Sequence, residues 1–177
     1  MNSFTLWEQV MLQTREVYLE DEVGLCVHVM HDLDMLAAIN TDDITLYITS
    51  MGGGVPDGIQ LIRVIESIQA RGIKVIGVVR GEAASMAFLI LQACAERRMG
   101  RFDILMAHGI TSLMLGDSKD FKSQSKVLSF WREKFASFLA ERTGESINYW
   151  NTILEDNTPR YFTPEEALEL QLIDIVE

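Results

Sequence analysis

Val75-Ile76-Gly77-Val78-Val79 leads, past Arg80, into Gly81-Glu82-Ala83-Ala84-Ser85-Met86-Ala87 and then Phe88-Leu89-Ile90-Leu91. The first run is apolar and β-branched, and the last is apolar without a break. The small residues between them suit a tight turn, so the stretch reads as strand, turn and buried helix. A serine at such a turn stands just before the free N–H groups of a helix start, where developing negative charge is stabilised. The glycine and alanines around it leave room for a substrate backbone to approach. Two readings of Ser85 are open here: a helix N-cap, or a nucleophile on a strand-to-helix turn.

Outward from this stretch the same alternation continues. A strand over 44–49 runs into the turn Ser50-Met51-Gly52-Gly53-Gly54, a helix covers 57–70, a strand 73–79, a helix 85–95, and a strand 103–107 ends at His108. Strands alternating with helices imply an α/β fold with parallel pairing and right-handed crossovers. Upstream, residues 1–14 form an amphipathic lead with Phe4, Leu6, Trp7, Val10 and Met11 on one helical face. Arg15 to Leu19 read as a strand, Glu20-Asp21-Glu22 as a turn, and 23–39 as a helix or mixed segment. Downstream, Asp117 to Arg142 read as one long helix. Its apolar positions, among them Val127, Phe130, Trp131, Phe135 and Phe138, are too many for one narrow stripe. Such excess marks a partner surface. The tail reads as a helix at 145–154, a loop containing Pro159, a helix at 164–170 and a strand at 172–176.

The 177 residues form one expected domain, 1–177, large enough for a substantial core. The net charge of −11, from 26 acidic and 15 basic residues, argues against nucleic acid or an anionic membrane surface as the main partner. No apolar run approaches the about 20 residues that span a bilayer. The N-terminus lacks the basic region and long apolar core of a signal peptide, so the expected location is cytoplasmic. Cys26 and Cys94 lie in apolar contexts and are expected to be free, buried thiols. Neither has metal-ligand spacing, and no metal or cofactor is expected. The triple glycine 52–54 has the look of a phosphate loop, but no Gly-Lys-Ser/Thr follows it.

Three segments together resemble ClpP, the proteolytic subunit of the Clp protease and a serine peptidase. They are the strand into Ser50-Met51-Gly52-Gly53, the Gly81-Glu82-Ala83-Ala84-Ser85-Met86 turn, and Met106-Ala107-His108. The resemblance runs from about Val17 to the C-terminus. It includes Thr143-Gly144 at the end of the long helix and Thr163-Pro164-Glu165-Glu166-Ala167 in the tail. It implies the ClpP/crotonase-like spiral of βα units with a protruding handle helix, here 117–142. It also implies Ser85 as nucleophile, His108 as base, and the N–H groups of Gly53 and Met86 as the oxyanion hole. By the same resemblance the chain builds a homo-oligomeric barrel of stacked rings. An AAA+ ATPase would feed it unfolded polypeptides, because the chain carries no Walker motif of its own. A divergent or viral member, with a dedicated processing role, fits the compact N-terminus and the altered acid loop. His28 and His31, away from any glycine turn, are expected at the surface or an interface.

Three departures from the family stand out. Met51 occupies a position where proline is usual. Gly109-Ile110 replaces Gln-Pro after the histidine, which leaves the form of the oligomer open. The acid of the triad is the third: counting back from Phe162 lands on Pro159, which cannot orient an imidazole. Asp156 reaches the family position if Asn157-Thr158-Pro159 bulge out; Asn157 is a neutral alternative, and a site with no third member is another. Two further functions are compatible with these residues. One is a catalytically impaired subunit of a mixed ring, and the other a crotonase-like acyl-CoA enzyme.

Overall fold

The computed structural model describes residues 5–110, 118–156 and 158–177. Helix α1 (Leu6–Thr14) opens on a capping box in which Thr5 and Glu8 satisfy each other's backbone N–H groups. It is followed by β1 (Glu16–Glu22), a 3-10 turn (Val23–Leu25), α2 (Val27–Ile39), β2 (Ile44–Gly52), α3 (Val55–Ala70), β3 (Val75–Ala84), α4 (Met86–Ala93), β4 (Glu96–Met99) and β5 (Ile104–Ala107). After 111–117 come α5 (Ser118–Thr143), α6 (Ile147–Glu155), β6 (Arg160–Phe162), α7 (Pro164–Glu169) and β7 (Ile175–Val176). Among the described residues, no helix is long and apolar enough to cross a membrane.

The strands form one seven-stranded sheet with the order β1-β2-β3-β4-β7, all parallel. β3 changes partner along its length. Ile76–Val79 pair with β4, and Glu82–Ala84 pair in parallel with β5, which carries β6 antiparallel on its far side. The β-branched runs of β2 and β3 suit this pleated, two-sided burial, and Ile44, Leu46, Ile48 and Val75 are fully buried. Helix α4 is buried along all eight residues, which explains its unbroken apolar sequence.

Some segments differ from expectation. Glu20-Asp21-Glu22 belong to β1 rather than to a turn. Pairing with the long β2 carries them on, and the register shifts between Glu20 and Glu22 with Asp21 at a φ of 64°. The span 81–84 is strand rather than turn, because β5 supplies partners for it. The charged β4 and the three-residue β6 were hidden in stretches without a strand pattern. Phe135, assigned to a partner-covered face, is buried at 6% exposure, whereas Val127 and Phe130 on the same helix are exposed.

Aromatic packing ties the last third of the chain to α4. Phe88, Trp150 and Phe162 stand with ring centroids 6.1–6.3 Å apart, and Trp150 Nε1 donates to Thr143 Oγ1 at 3.0 Å. The C-terminal segment is held by Arg97, whose side chain is 6% exposed and grips Asp174 with two hydrogen bonds, at 3.0 and 2.7 Å. Burial raises the Asp174 carboxyl. The hydrogen bonds from the Arg97 side chain and backbone, with the Arg97 and Arg142 charges, outweigh it and hold the group below the usual carboxylate range. A depressed folded value stabilises the fold above the unfolded pKa and loses that stabilisation as pH falls through the folded one. The Asp174 side chain is 39% exposed and solvent screens the pair, so Asp174→Asn is expected to lower stability by about 1 kcal/mol at pH 7. In urea denaturation the gap between the two proteins should persist down to about pH 4 and close below it.

Candidate active site

β3 and β5 end side by side, with Ala84 opposite Met106. That register brings Ser85 and His108, one and two residues further on, to the same end of the sheet. The Ser85 backbone N–H donates to Met106 O at 2.8 Å, so the turn is fastened to β5 on its own side. Ser85 has φ 54° and ψ −117°, a conformation that side chains rarely adopt. Strained residues of this kind cluster at functional sites. Ser85 stands at the N-cap position of α4, yet its side chain makes no capping hydrogen bond. The hydroxyl of this half-buried residue is thus not occupied in the way the capping alternative requires.

The glycine turn after β2 closes on the same point. At Gly52, φ is 97°, and a Cβ there would stand 2.7 Å from Ala84 O and 2.8 Å from both Met86 N and Ser85 Cβ. Only glycine allows that approach. The turn is held from behind: Gly52 N–H donates to Ser50 Oγ at 3.1 Å, and the Ser50 hydroxyl donates to Asp21 O. Met51, in the place of the usual proline, is exposed and leaves this turn intact.

Ser85, Met86, His108 and Gly53 line one cavity of about 60 Å³. Its other wall is apolar, from Val55 on α3, Phe88 and Leu89 on α4, Phe135 on α5 and Leu154 on α6. Sequence reading did not identify Phe135 and Leu154 as cavity residues. Helical periodicity marks a residue as apolar without saying which concavity it faces.

The acid segment sits beside the histidine loop. Gly109 N–H donates to Asp156 O at 3.1 Å, which staples the residue after His108 to the end of α6. The Asp156 side chain is exposed, and its Oδ1 accepts from Thr158 N–H at 3.0 Å. Asn157, the neutral alternative, lies outside the described residues. Pro159 is exposed.

Other nucleophile or ligand candidates lie elsewhere. Both cysteines are free and buried. Burial pushes the Cys94 thiol up to about 12 and raises Cys26 as well, so neither offers a thiolate near neutral pH. His28 and His31 are exposed on α2, with His31 Nδ1 3.9 Å from the Asp32 carboxylate. Among the described residues, no three His, Cys, Asp or Glu side chains gather as a metal site.

The model of the Clp protease family matches residues 2–177. The chain is 32% identical over 173 residues to the ATP-dependent Clp protease proteolytic subunit 1 of Prochlorococcus marinus strain MIT 9312, covering 94% of this chain and 85% of that protein. It is 29% identical over 175 residues to the ATP-dependent Clp protease proteolytic subunit 2 of Thermobifida fusca strain YX, covering 95% of this chain and 83% of the relative.

The close approach at Gly52 has a measurable consequence. Gly52→Ala adds a Cβ where three backbone or near-backbone atoms already stand, at a positive φ. It should destabilise the fold by about 2–4 kcal/mol, read as a lowered unfolding midpoint.

Proposed function

The chain belongs to the Clp protease family, and on that premise we propose that it is a serine endopeptidase acting on unfolded polypeptides and peptides. One observation carries the reading: Ser85, strained and with no capping bond from its side chain, lines the same cavity as His108, Gly53 and Met86. These are the elements that acyl transfer by serine requires. An isolated hydroxyl is a poor nucleophile, so His108 takes the Ser85 proton as Oγ attacks the carbonyl carbon of the scissile bond. The oxygen that becomes negative is met by the N–H groups of Gly53 and Met86, with Met86 at the positive end of α4. His108 then passes its proton to the leaving amine, which departs and leaves an acyl ester on Ser85. Water, deprotonated by His108, hydrolyses that ester and restores the serine.

Asp156 is the proposed orienting acid for His108. The Gly109–Asp156 backbone bond, which keeps its segment beside the histidine loop, supports this reading. The apolar wall of Phe88, Leu89, Phe135 and Leu154 suits an apolar substrate side chain next to the scissile bond.

We further propose one peptidase domain that assembles into stacked homo-oligomeric rings in the cytoplasm, with α5 as the handle between rings. Exposed Val127 and Phe130 on α5 support a covered face there. An AAA+ ATPase would supply unfolded chains, since this sequence has no Gly-Lys-Ser/Thr phosphate loop. The second reading, an impaired subunit in a mixed ring, draws on Pro159 at the place where the family carries its aspartate.

The deciding experiment is labelling of the purified oligomer with a fluorophosphonate, read by intact mass and peptide mapping. A single adduct on Ser85 is expected, lost in Ser85→Ala, together with a fall in peptide turnover of at least about 1,000-fold. An assembled oligomer without adduct favours the impaired subunit. Asp156→Ala should slow turnover by about 100-fold or more, and by more than Asn157→Ala. The reverse order transfers the orienting role to Asn157.

A further inference from the structure

Helix α3 buries a glycine, Gly58, in its first turns. Alanine is the better helix former at an interior position, so helix propensity does not account for it. The neighbouring element does. A Cβ at Gly58 would collide with Met86 Cγ and stand 2.8 Å from Met86 Cε and Sδ. The Met86 side chain fills this notch and is 2% exposed.

Met86 directly follows Ser85 and opens α4. On its other side, its amide nitrogen lies 2.8 Å from where a Cβ of Gly52 would stand. Met86 is therefore clasped by two elements: α3 receives its side chain at Gly58, and the turn after β2 abuts its amide at Gly52. Methionine is unbranched and flexible, so an open site would define its placement poorly. The notch touches Cγ, an atom that rotation about the outer torsions cannot move. Filling it forces a change in χ1 or a shift of the Met86 backbone.

We infer that Gly58 is a positioning residue, which fixes the Met86 amide and the adjoining Ser85 by seating the Met86 side chain. The inference rests on the proposed roles of Ser85 as nucleophile and Met86 N–H as oxyanion donor. Misplacement of such a donor by about 1 Å is enough to slow acyl transfer by about 100-fold.

The test is a cycle of Gly58→Ala, Met86→Ala and the double variant. The readouts are the rate of Ser85 acylation by the fluorophosphonate, and kcat and KM on a peptide. Gly58→Ala should lower the acylation rate and kcat by about 10- to 100-fold with KM within about twofold. In the Met86→Ala background the glycine change should cost less than about twofold, because there is no side chain to displace. A Gly58→Ala protein that is acylated at the wild-type rate overturns the inference, and so does an equal loss in both backgrounds. If Gly58→Ala alone does not assemble, the double variant against Met86→Ala decides. Matching rates support the notch, and a further loss of about tenfold overturns it. Wild-type protein that takes no label on Ser85 removes the nucleophile reading and this inference with it. A labelled wild type with an equally labelled Gly58→Ala removes the inference alone.

Discussion

No side chain fits between the turn that ends β2 and the turn that ends β3. At Gly52 the backbone comes so close to Ala84, Ser85 and Met86 that even a methyl group would meet backbone atoms. Three strands converge there. β1 holds the glycine turn through Asp21 and Ser50, β2 supplies the glycines, and β5 takes the Ser85 N–H through Met106. A backbone held from three sides sustains the strained φ of Ser85, which an isolated turn would relax. The end of the cavity where Gly53 meets Ser85 and Met86 depends on that contact.

The walls of the cavity depend on packing much further along the chain. Phe88, from the helix that follows the serine, stacks on Phe162 and meets Trp150 at a tilt. Full burial of each such ring is worth roughly 2–3 kcal/mol. Trp150 is fixed in turn by Thr143, whose hydroxyl bonds back to Leu139 O, so the end of α5 and the start of α6 form one unit. That unit carries Phe135 and Leu154 to the site. On the opposite edge, the Arg97–Asp174 pair brings β7 to β4 and closes the sheet. Arg97 is buried while Asp174 is partly exposed, so the pair adds modestly to net stability and, with its several hydrogen bonds, orients the tail.

Ser85 and His108 line one cavity, whereas Asp156, the proposed orienting acid, is not among its lining residues. Its backbone is stapled to the histidine loop while its carboxylate serves a local turn at Thr158. His108 thus directly follows a strand of the sheet, whereas Asp156 sits on a short connection between α6 and β6. Connections of this kind adjust more readily than strands, because fewer backbone hydrogen bonds hold them.

Much of the architecture was legible in the order of residues. β-branched runs at 44–49 and 75–79, glycines at 52–54 and an unbroken apolar run after Ser85 specify strands, turns and a buried helix through local periodicity alone. The serine, histidine and glycine segments were named from their resemblance to one family, since local pattern alone left Ser85 open between a helix cap and a nucleophile. The extent of β1 and β3, the existence of β4 and β6, and the inward placement of Phe135 were not legible. Each depends on partners supplied by distant segments, such as β5 for Glu82–Ala84 and Asp174 for Arg97. Sequence by itself therefore determined which elements form and which residue types they carry, since strand and helix repeats are written in adjacent positions. Tertiary structure alone decided that Ser85, His108, Gly53 and Met86 share one cavity. Their meeting point is set by sheet register and by a backbone contact between residues more than thirty positions apart.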